Sequence, residues 1–320
     1  MKQKILFSLS FLVLLKDFYF QKRLSKKLIK TLPRSAQDSK IYHTYAIQIV
    51  SCIAILYCEM RGKKISKVEK KTQVYLSFLA ALMDIETDQK IKNISEVIVF
   101  FKSLQLPHSP VLENICFIIQ QLRKNIDDQP LKELIRNSLL FQLESLRQTK
   151  SNDIAYIKEI TWNKCGYSFL FSRMLLNHKM IANEQAFCFH YGGIGQLGDD
   201  ILDIYDDKKD GIVTIAHLLN NDALKVFYMD ELLLLFKNIQ RLDYEPKHVY
   251  KAVLKLCIVT AIPLVQLDLL TEQKITTGKT FSIDHINRKD TICDMQKFSV
   301  LKRSFTKSIS LYKLFLSLNS

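Results

Sequence analysis

Residues 195–207 read GQLGDDILDIYDD, and this stretch decides how the rest of the chain is interpreted. Asp199 and Asp203 are four residues apart and Asp200 and Asp203 are three apart, so a helix places all three carboxylates on one side. Like charges at these spacings repel one another and destabilise a helix unless a cation lies between them. Mg²⁺ prefers oxygen ligands, usually one or two carboxylates together with water and phosphate. The stretch therefore predicts a magnesium–diphosphate site, with a solvated acidic helix end as the alternative.

The acidic stretch is unusual because the rest of the chain is basic. The 320 residues carry a formal net charge of +14, and residues 1–75 contain 16 Lys or Arg against 4 Asp or Glu. Nucleic acid, a membrane surface or a diphosphate substrate could each account for this excess. Because the chain has no nucleic-acid-binding motif, a membrane surface or an anionic lipid substrate fits better.

Apolar residues recur at helical spacing through most of the chain. The periodicity predicts helices over residues 40–60, 66–88, 131–148, 182–205, 223–239 and 246–271. The 8 Gly and 6 Pro are few for a protein built from many short strands and turns. No glycine-rich phosphate loop occurs, which excludes the P-loop and dinucleotide-binding fingerprints. We therefore predict an all-α fold with a single helical domain over residues 40–320, preceded by a basic and apolar helical segment over residues 1–39.

Two features bear on where the protein resides. Residues 5–15 are apolar but too short to span a bilayer, and they lack the cleavage site of a signal peptide. We interpret them as a first helix that packs on the body or lies on a membrane surface, in preference to a signal sequence. The seven cysteines are scattered without metal-binding spacing, which is typical of reduced thiols. A cytoplasmic protein, with membrane association as an option, is the prediction.

A second acidic pair follows another apolar run. Asp84 and Asp88 share a face at the C-terminal end of the predicted helix over residues 66–88. That end carries the negative pole of the helix dipole, so bare carboxylates there are unfavourable. Two such helix ends suggest a pair of helices facing one cation-filled cavity. Lys164 lies between the two acidic groups in the sequence and could balance diphosphate charge.

These three segments, in this order, resemble the class I isoprenoid synthase superfamily. It comprises trans-prenyltransferases, squalene and phytoene synthases and terpene cyclases, and it includes a subgroup described as class 1 isoprenoid biosynthesis enzymes. Residues 196–207 resemble its second aspartate-rich motif, Gln-x-x-Asp-Asp-x-x-Asp. Asp84 and Asp88 match the first and last acids of its first motif, whose middle acid is replaced here by Ile85. Lys164, in the run KCGYSF, matches the lysine of its Lys-Thr-x-x-Leu-Phe segment.

The resemblance implies an antiparallel helical bundle of the isoprenoid synthase type around a deep apolar cavity. Its implied cofactor is Mg²⁺, and the implied metal ligands are Asp84, Asp88, Asp199, Asp200 and Asp203. The implied catalytic residues are Asp200, Asp203 and Lys164. The implied diphosphate-binding residues are Lys164 and Lys208. Asp206, Asp207 and Asp210 are expected in a solvated loop.

The function implied is that of a Mg²⁺-dependent prenyltransferase that ionises an allylic prenyl diphosphate in isoprenoid biosynthesis. Alternatives are a squalene- or phytoene-type coupling enzyme, a terpene cyclase, and a non-catalytic prenyl-synthase-like subunit. Ile85 and the absence of the family's Gly-Gly-Lys-Arg segment favour the last of these. The partners predicted are the prenyl diphosphate substrate, a second copy in a homodimer and, through peripheral contact, a membrane surface. Nucleic acid is not expected as a partner.

Overall fold

The computed structural model describes residues 2–33, 39–88, 110–145, 148, 151–277, 293–295 and 297–318. For helical residues 2–6, 39, 85–88, 110–112 and 274–277 the description covers the backbone only. Every regular element within these ranges is a helix, which confirms the all-α prediction.

The helices are named in chain order. The first group is α1 (Lys2–Ile29), α2 (Ser39–Ala46), a π-helical segment (Ile47–Ala54), α3 (Ile55–Met60), α4 (Lys67–Asp88), α5 (Pro110–Leu122) and α6 (Asp128–Ser145). The second group is α7 (Ile154–Met174), α8 (Glu184–Leu202), α9 (Ile204–Lys209), α10 (Ile215–Leu218), α11 (Asn221–Gln240), α12 (Pro246–Thr277) and α13 (Phe298–Ser317). The core is one cluster of buried apolar side chains with contributions from α1, α2, the π-helical segment and most of the later helices.

The predicted helix over residues 182–205 is in fact two helices. Asp203 lies at the C-cap of α8 with non-helical dihedral angles (φ −99°, ψ 11°), and α9 begins at the next residue. The break lets Ile201 and Ile204 both enter the core. The expectation that Asp206, Asp207 and Asp210 lie in a solvated loop was therefore wrong in part. Asp206 and Asp207 lie on α9 and are half-buried, while Asp210 is exposed at its C-cap.

The helix predicted over residues 40–60 also differs in detail. It contains eight π-helical residues, Ile47–Ala54, between α2 and α3. The apolar residues of this stretch predict a helix, but they do not distinguish the i→i+5 hydrogen bonds of a π-helix from those of an α-helix. π-helical turns are rare and often occur at functional sites. α7 begins at Ile154, and Asp153 caps it by accepting from the N–H of Ala155 at 2.9 Å.

Glycines allow α7 and α8 to pack unusually closely. A Cβ on Gly192 would lie 2.6 Å from the backbone carbonyl of Cys165, and one on Gly193 would lie 2.3 Å from the indole of Trp162. Further along, Gly166 of α7 contacts Phe189 of α8. Because the contact positions advance along α7 as they retreat along α8, the two helices are antiparallel. Lys164 is therefore carried on a helix that packs directly against α8.

The opposite end of α8 is held by a buried ion pair. Arg173 and Glu184 are both fully buried, and Nε of Arg173 donates to Oε1 of Glu184 at 2.6 Å. Glu184 also accepts hydrogen bonds from the Tyr244 hydroxyl and the Ile181 N–H. Glu184 precedes Asp199 by 15 residues, so this pair lies about 22 Å from the acidic end of the same helix. The pair therefore stabilises the bundle at the end of α8 that lies far from the acidic residues.

α1 packs against the body through its inner side. Phe7 forms edge-to-face contacts with Tyr312 (5.5 Å between ring centroids) and Phe305 (6.1 Å). Lys255 of α12 lies 3.6 Å from Asp17 and 2.7 Å from Glu59. The division of the chain at residue 39 stays a prediction.

Two helical stretches of the described chain are long and apolar enough to cross a membrane. They are Lys40–Met60 and Pro246–Gln273, and 67% and 78% of their apolar windows are buried inside the protein. The core helices of a soluble protein have the same length and composition, so these stretches are weak evidence for a membrane span. All seven cysteines are free thiols.

Candidate active site

An apolar cavity of about 460 Å³ lies between the helices. This volume falls in the range of about 300–1,000 Å³ that small-molecule sites usually have. Most of its wall is aliphatic or aromatic, as at Leu79, Met83, Phe171 and Ile194. An apolar wall of this kind suits an apolar ligand.

Among the described residues, three charged side chains from three different helices line this cavity. Asp84 lies in the last two turns of α4, Lys164 lies in α7, and Asp199 lies near the end of α8. Asp84 and Lys164 both act on the pKa of Asp199, the first raising it and the second lowering it. The structure thus brings together groups that are 80 and 35 residues apart in the sequence.

Asp199 is an unusually weakly acidic carboxyl group. Its side chain keeps accessible surface on the cavity, yet the surrounding protein atoms desolvate it. This burial is the largest cause that raises its pKa to about 6, and the charge of Asp203 raises it further. Nearby positive charge would be strongly favourable here.

Asp200 is only 5% exposed and does not line the cavity itself, whereas its hydrogen-bond partner Gln196 does. Burial raises its pKa to about 7, although a hydrogen bond from Gln196 opposes the shift. Nε2 of Gln196 donates to Oδ1 of Asp200 at 2.8 Å, and Oε1 of Gln196 accepts from Sγ of Cys165 at 2.9 Å. Oδ2 of Asp200 is buried and makes no hydrogen bond to any described residue. Buried polar atoms are normally satisfied, so this oxygen points to a ligand.

Asp207 belongs to the same electrostatic cluster, which the sequence did not predict. Burial raises its pKa to about 8, and the charges of Asp200, Asp203 and Asp199 add to the shift in that order. The prediction missed Asp207 because α9 was not recognised as a separate helix that begins directly after the break at Asp203. Asp203 itself is exposed at the junction of these helices.

Two predicted site residues, Lys208 and Asp88, are not among the described side chains that line the cavity. Lys208 lies on α9 with an exposed side chain, and it is outside the set of described residues that line the cavity. The backbone of α4 continues as a helix to Asp88. The side chains of Ile85 and Asp88 lie outside the described part of the structure.

The carboxylates do not form a closed metal site by themselves. Within the described residues, no three His, Cys, Asp or Glu side chains are grouped to hold a metal ion. The chemistry of the set nevertheless fits Mg²⁺, because it offers carboxylate oxygens, including the unsatisfied Oδ2 of Asp200. Mg²⁺ usually completes its coordination with water and substrate phosphate, so a closed protein cage is not required.

The cavity also has walls that the sequence did not predict. The π-helical segment contributes Gln48 and Cys52, and α12 contributes Pro263. Pro263 has no backbone N–H, so the helix lacks one hydrogen bond at this point. Its ring packs on Gly198, where a Cβ would lie 2.9 Å from Cγ of the proline. A proline inside an apolar helical run was the available sequence signal for this wall.

Comparison with known proteins yields a distant structural likeness. No family model matches the chain, and no curated protein matches it in sequence. A crystal structure of a dehydrosqualene synthase in complex with ligand aligns over 97% of this chain and 98% of that one, with a TM-score of 0.49 and 12% sequence identity. A likeness at this level assigns no function to the chain.

Proposed function

We propose that this chain is a Mg²⁺-dependent class I isoprenoid synthase that ionises an allylic prenyl diphosphate, acting as a prenyltransferase in isoprenoid biosynthesis. The observation that carries the proposal is the position of the charges. Asp84, Asp199 and Lys164 lie on the wall of an otherwise apolar cavity, and Asp200, with its unsatisfied Oδ2, is connected to that wall through its hydrogen bond from Gln196. A prenyl diphosphate has the matching chemistry, an apolar chain joined to a strongly anionic head.

Mg²⁺ would be held by the carboxylates of this cluster, with the substrate diphosphate providing further oxygen ligands. We assign Asp84, Asp199, Asp200 and Asp203 to this role, and Asp88 by its place in the sequence. When bound, the metal would neutralise charge on the departing diphosphate. The raised pKa values of Asp199 and Asp200 support the assignment, since crowded and desolvated carboxylates gain most from a bound cation.

The other residues have separate tasks. Lys164 would pair with diphosphate oxygens from α7 and oppose the negative charge of the aspartates. Gln196 would orient Asp200 through its hydrogen bond. The apolar cavity would exclude water from the allylic cation that remains after ionisation. Lys208, exposed on α9, is assigned the weaker role of a surface cation near the mouth of the site.

The test is release of diphosphate by the purified chain with Mg²⁺ and labelled geranyl or farnesyl diphosphate, each with and without isopentenyl diphosphate. Chain elongation only with the second substrate is expected. The D200A/D203A variant should lose about 10²–10³-fold in rate, the usual effect of removing charge stabilisation at a transition state. The matched variant D210A/D243A removes two exposed carboxylates and should keep the wild-type rate.

Other outcomes have defined meanings. Joining of two allylic chains without isopentenyl diphosphate would identify a coupling enzyme, and a cyclic product would identify a terpene cyclase. Equally slow release by wild type and D200A/D203A would reject catalysis and leave a prenyl-synthase-like subunit. The homodimer and the cytoplasmic location stay predictions.

A further inference from the structure

Exposed apolar side chains are concentrated on α1. Among the described residues, thirteen large hydrophobic side chains are exposed, and six of them lie on this one helix. They are Leu9, Leu12, Val13, Leu15, Tyr19 and Phe20. Leu12 is 60% exposed and Tyr19 is 65% exposed. Single exposed hydrophobic residues are ordinary, whereas a contiguous group marks an interaction surface.

The outer face of α1 changes from apolar to basic along the helix axis. We define this face by a series at steps of three and four residues, all exposed: Leu9, Val13, Lys16, Phe20, Arg23 and Lys27. Leu12, Leu15, Tyr19, Lys22 and Lys26 flank it with the same division. Up to Phe20 this face carries one charge, Lys16, whose ammonium lies 5.8 Å from the centre of the Phe20 ring. From Lys22 onward every exposed residue of α1 is Lys or Arg.

The inner face of α1 is already used by the fold. Its buried residues recur at the opposite positions of the helix: Phe7, Leu14, Gln21, Ser25 and Leu28. Ser25 forms a hydrogen bond with His43, and Phe7 packs on Tyr312. Because these contacts hold α1 against the body, the helix cannot cross a bilayer without breaking them. Any partner of α1 must approach its outer face.

We propose that the outer face of α1 docks the protein onto the surface of an anionic lipid bilayer. The apolar half would enter the interface, where its exposed apolar side chains would be removed from water. Tyr19 and Phe20 lie at the boundary between the apolar and basic halves, and aromatic rings favour this depth in a membrane. The lysines and Arg23 would lie among anionic headgroups, each adding attraction. This combination of charge and apolar surface along one axis matches a bilayer interface and is not needed for docking a second copy.

Docking would also bring the candidate active site close to the membrane. Phe18, on the inner side of α1, lines the cavity. The helix that contacts lipid on one side would thus form cavity wall on the other. The docking itself does not depend on the proposed function, because it rests on the outer face alone.

The experiment is co-sedimentation of the full chain with vesicles of phosphatidylglycerol and phosphatidylcholine, compared with vesicles of phosphatidylcholine alone. Wild type should bind the anionic vesicles much more tightly, and high salt should weaken this binding. L9Q/L12Q should bind the anionic vesicles at least about tenfold more weakly than wild type. R23Q/K27Q should lose about 30-fold in affinity for these vesicles at low ionic strength. Circular dichroism checks that each variant keeps its helical content.

Matched controls separate docking from general surface effects. V226Q/L234Q replaces two exposed apolar residues of α11, and K132Q/K302Q removes two exposed lysines elsewhere, so both should bind vesicles like wild type. Docking by α1 is rejected if wild type ignores anionic vesicles or if the control pairs lose as much binding as the α1 pairs. It is also rejected if L9Q/L12Q abolishes a dimer in sedimentation velocity without changing vesicle binding, since the face would then contact a second copy.

Discussion

Gln196 and Asp200 lie one helical turn apart on α8, and the amide of Gln196 donates a 2.8 Å hydrogen bond to Oδ1 of Asp200. The bond fixes the orientation of a carboxyl group that is otherwise buried and only partly satisfied. An unpaired buried carboxylate oxygen is costly, because desolvation is not repaid by a partner. The pair therefore presents Oδ2 in one orientation, as a preorganised ligand site requires.

Replacing Gln196 by Leu should make Asp200 a weaker acid. The hydrogen bond from Gln196 lowers the pKa of Asp200, which is about 7, so its loss raises that pKa and reduces the ionised fraction at neutral pH. We expect Mg²⁺-dependent binding of inorganic pyrophosphate at pH 7 to weaken about fivefold for a shift of one pKa unit, because the ionised fraction of Asp200 falls from about one half to about one tenth. Calorimetric titration should show a smaller difference in pyrophosphate affinity between the Gln196→Leu variant and wild type at pH 9. The control Q185L, exposed on the same helix, should match wild type at both values, and an equal loss at both would reject this role for Gln196.

Lys164 and Lys208 are predicted to differ sharply when replaced by Gln. Lys164 lines the cavity and lowers the pKa of both Asp199 and Asp200, whereas Lys208 is exposed on α9. A cation within the site is worth about tenfold or more in diphosphate affinity, while an exposed one is screened. Pyrophosphate binding with Mg²⁺ should therefore fall strongly in K164Q and less than about threefold in K208Q. K209Q serves as the neighbouring control, and equal losses in all three variants would assign the effect to net charge alone.

Much of the site could be predicted from the sequence because its residues lie on long, periodic helices. Asp84 and Asp199 were predicted from the spacing of acidic residues at the ends of two apolar helices, and their convergence followed from the two helix ends facing one cavity. Lys164 was predicted from its place between the two acidic groups in the sequence and from the family resemblance. Asp207 could not be located in this way, since a break of one residue at Asp203 redirects the chain. The bond between Cys165 and Gln196 depends on the distance between two helices, which the glycines at their contact determine. Distances between helices depend on side-chain packing, which the periodicity of apolar residues in the sequence does not reveal.

Gly192→Ala should separate α7 from α8. The added Cβ would lie 2.6 Å from the carbonyl of Cys165, and backbone atoms cannot move aside as a flexible side chain can. We expect a loss of about 1–3 kcal/mol in the free energy of unfolding, as for other overpacked contacts. Urea denaturation measures this loss. The control G195A places its Cβ 3.1 Å from the tip of the Phe169 ring, which can yield, so its stability should stay within about 1 kcal/mol of wild type. Similar losses of stability in G192A and G195A would show that the close contact with the Cys165 carbonyl is not the cause.

Glu184→Ala should destabilise the protein far more than a matched surface change. It leaves the guanidinium of Arg173 fully buried without its carboxylate, which costs about 3–5 kcal/mol. In the control, E272A breaks the exposed contact with Arg303 and should cost less than about 1 kcal/mol. Equilibrium urea unfolding of both variants makes the comparison. Equal effects would show that the Arg173 pair contributes no more than a surface contact.

Asp207 should make the metal-free protein less stable as the pH rises. The pKa of this carboxyl group is about 8 in the folded chain, against about 4 when unfolded, because burial and the charges of Asp200, Asp203 and Asp199 oppose ionisation. The folded state therefore binds more protons between these values, and stability supported by the neutral group is lost as the pH rises from about 4 to about 8. Asp207→Asn cannot ionise and should avoid this loss.

The Tm of D207N without divalent cations should thus be close to that of wild type near pH 3.5 and exceed it at pH 8.5. Other titrating groups are present in both proteins, so the difference between their Tm values isolates Asp207. D210N removes an exposed carboxylate just beyond α9 and should shift Tm equally at both pH values. If D207N behaves in the same way as D210N, Asp207 is solvated and does not belong to the acidic cluster.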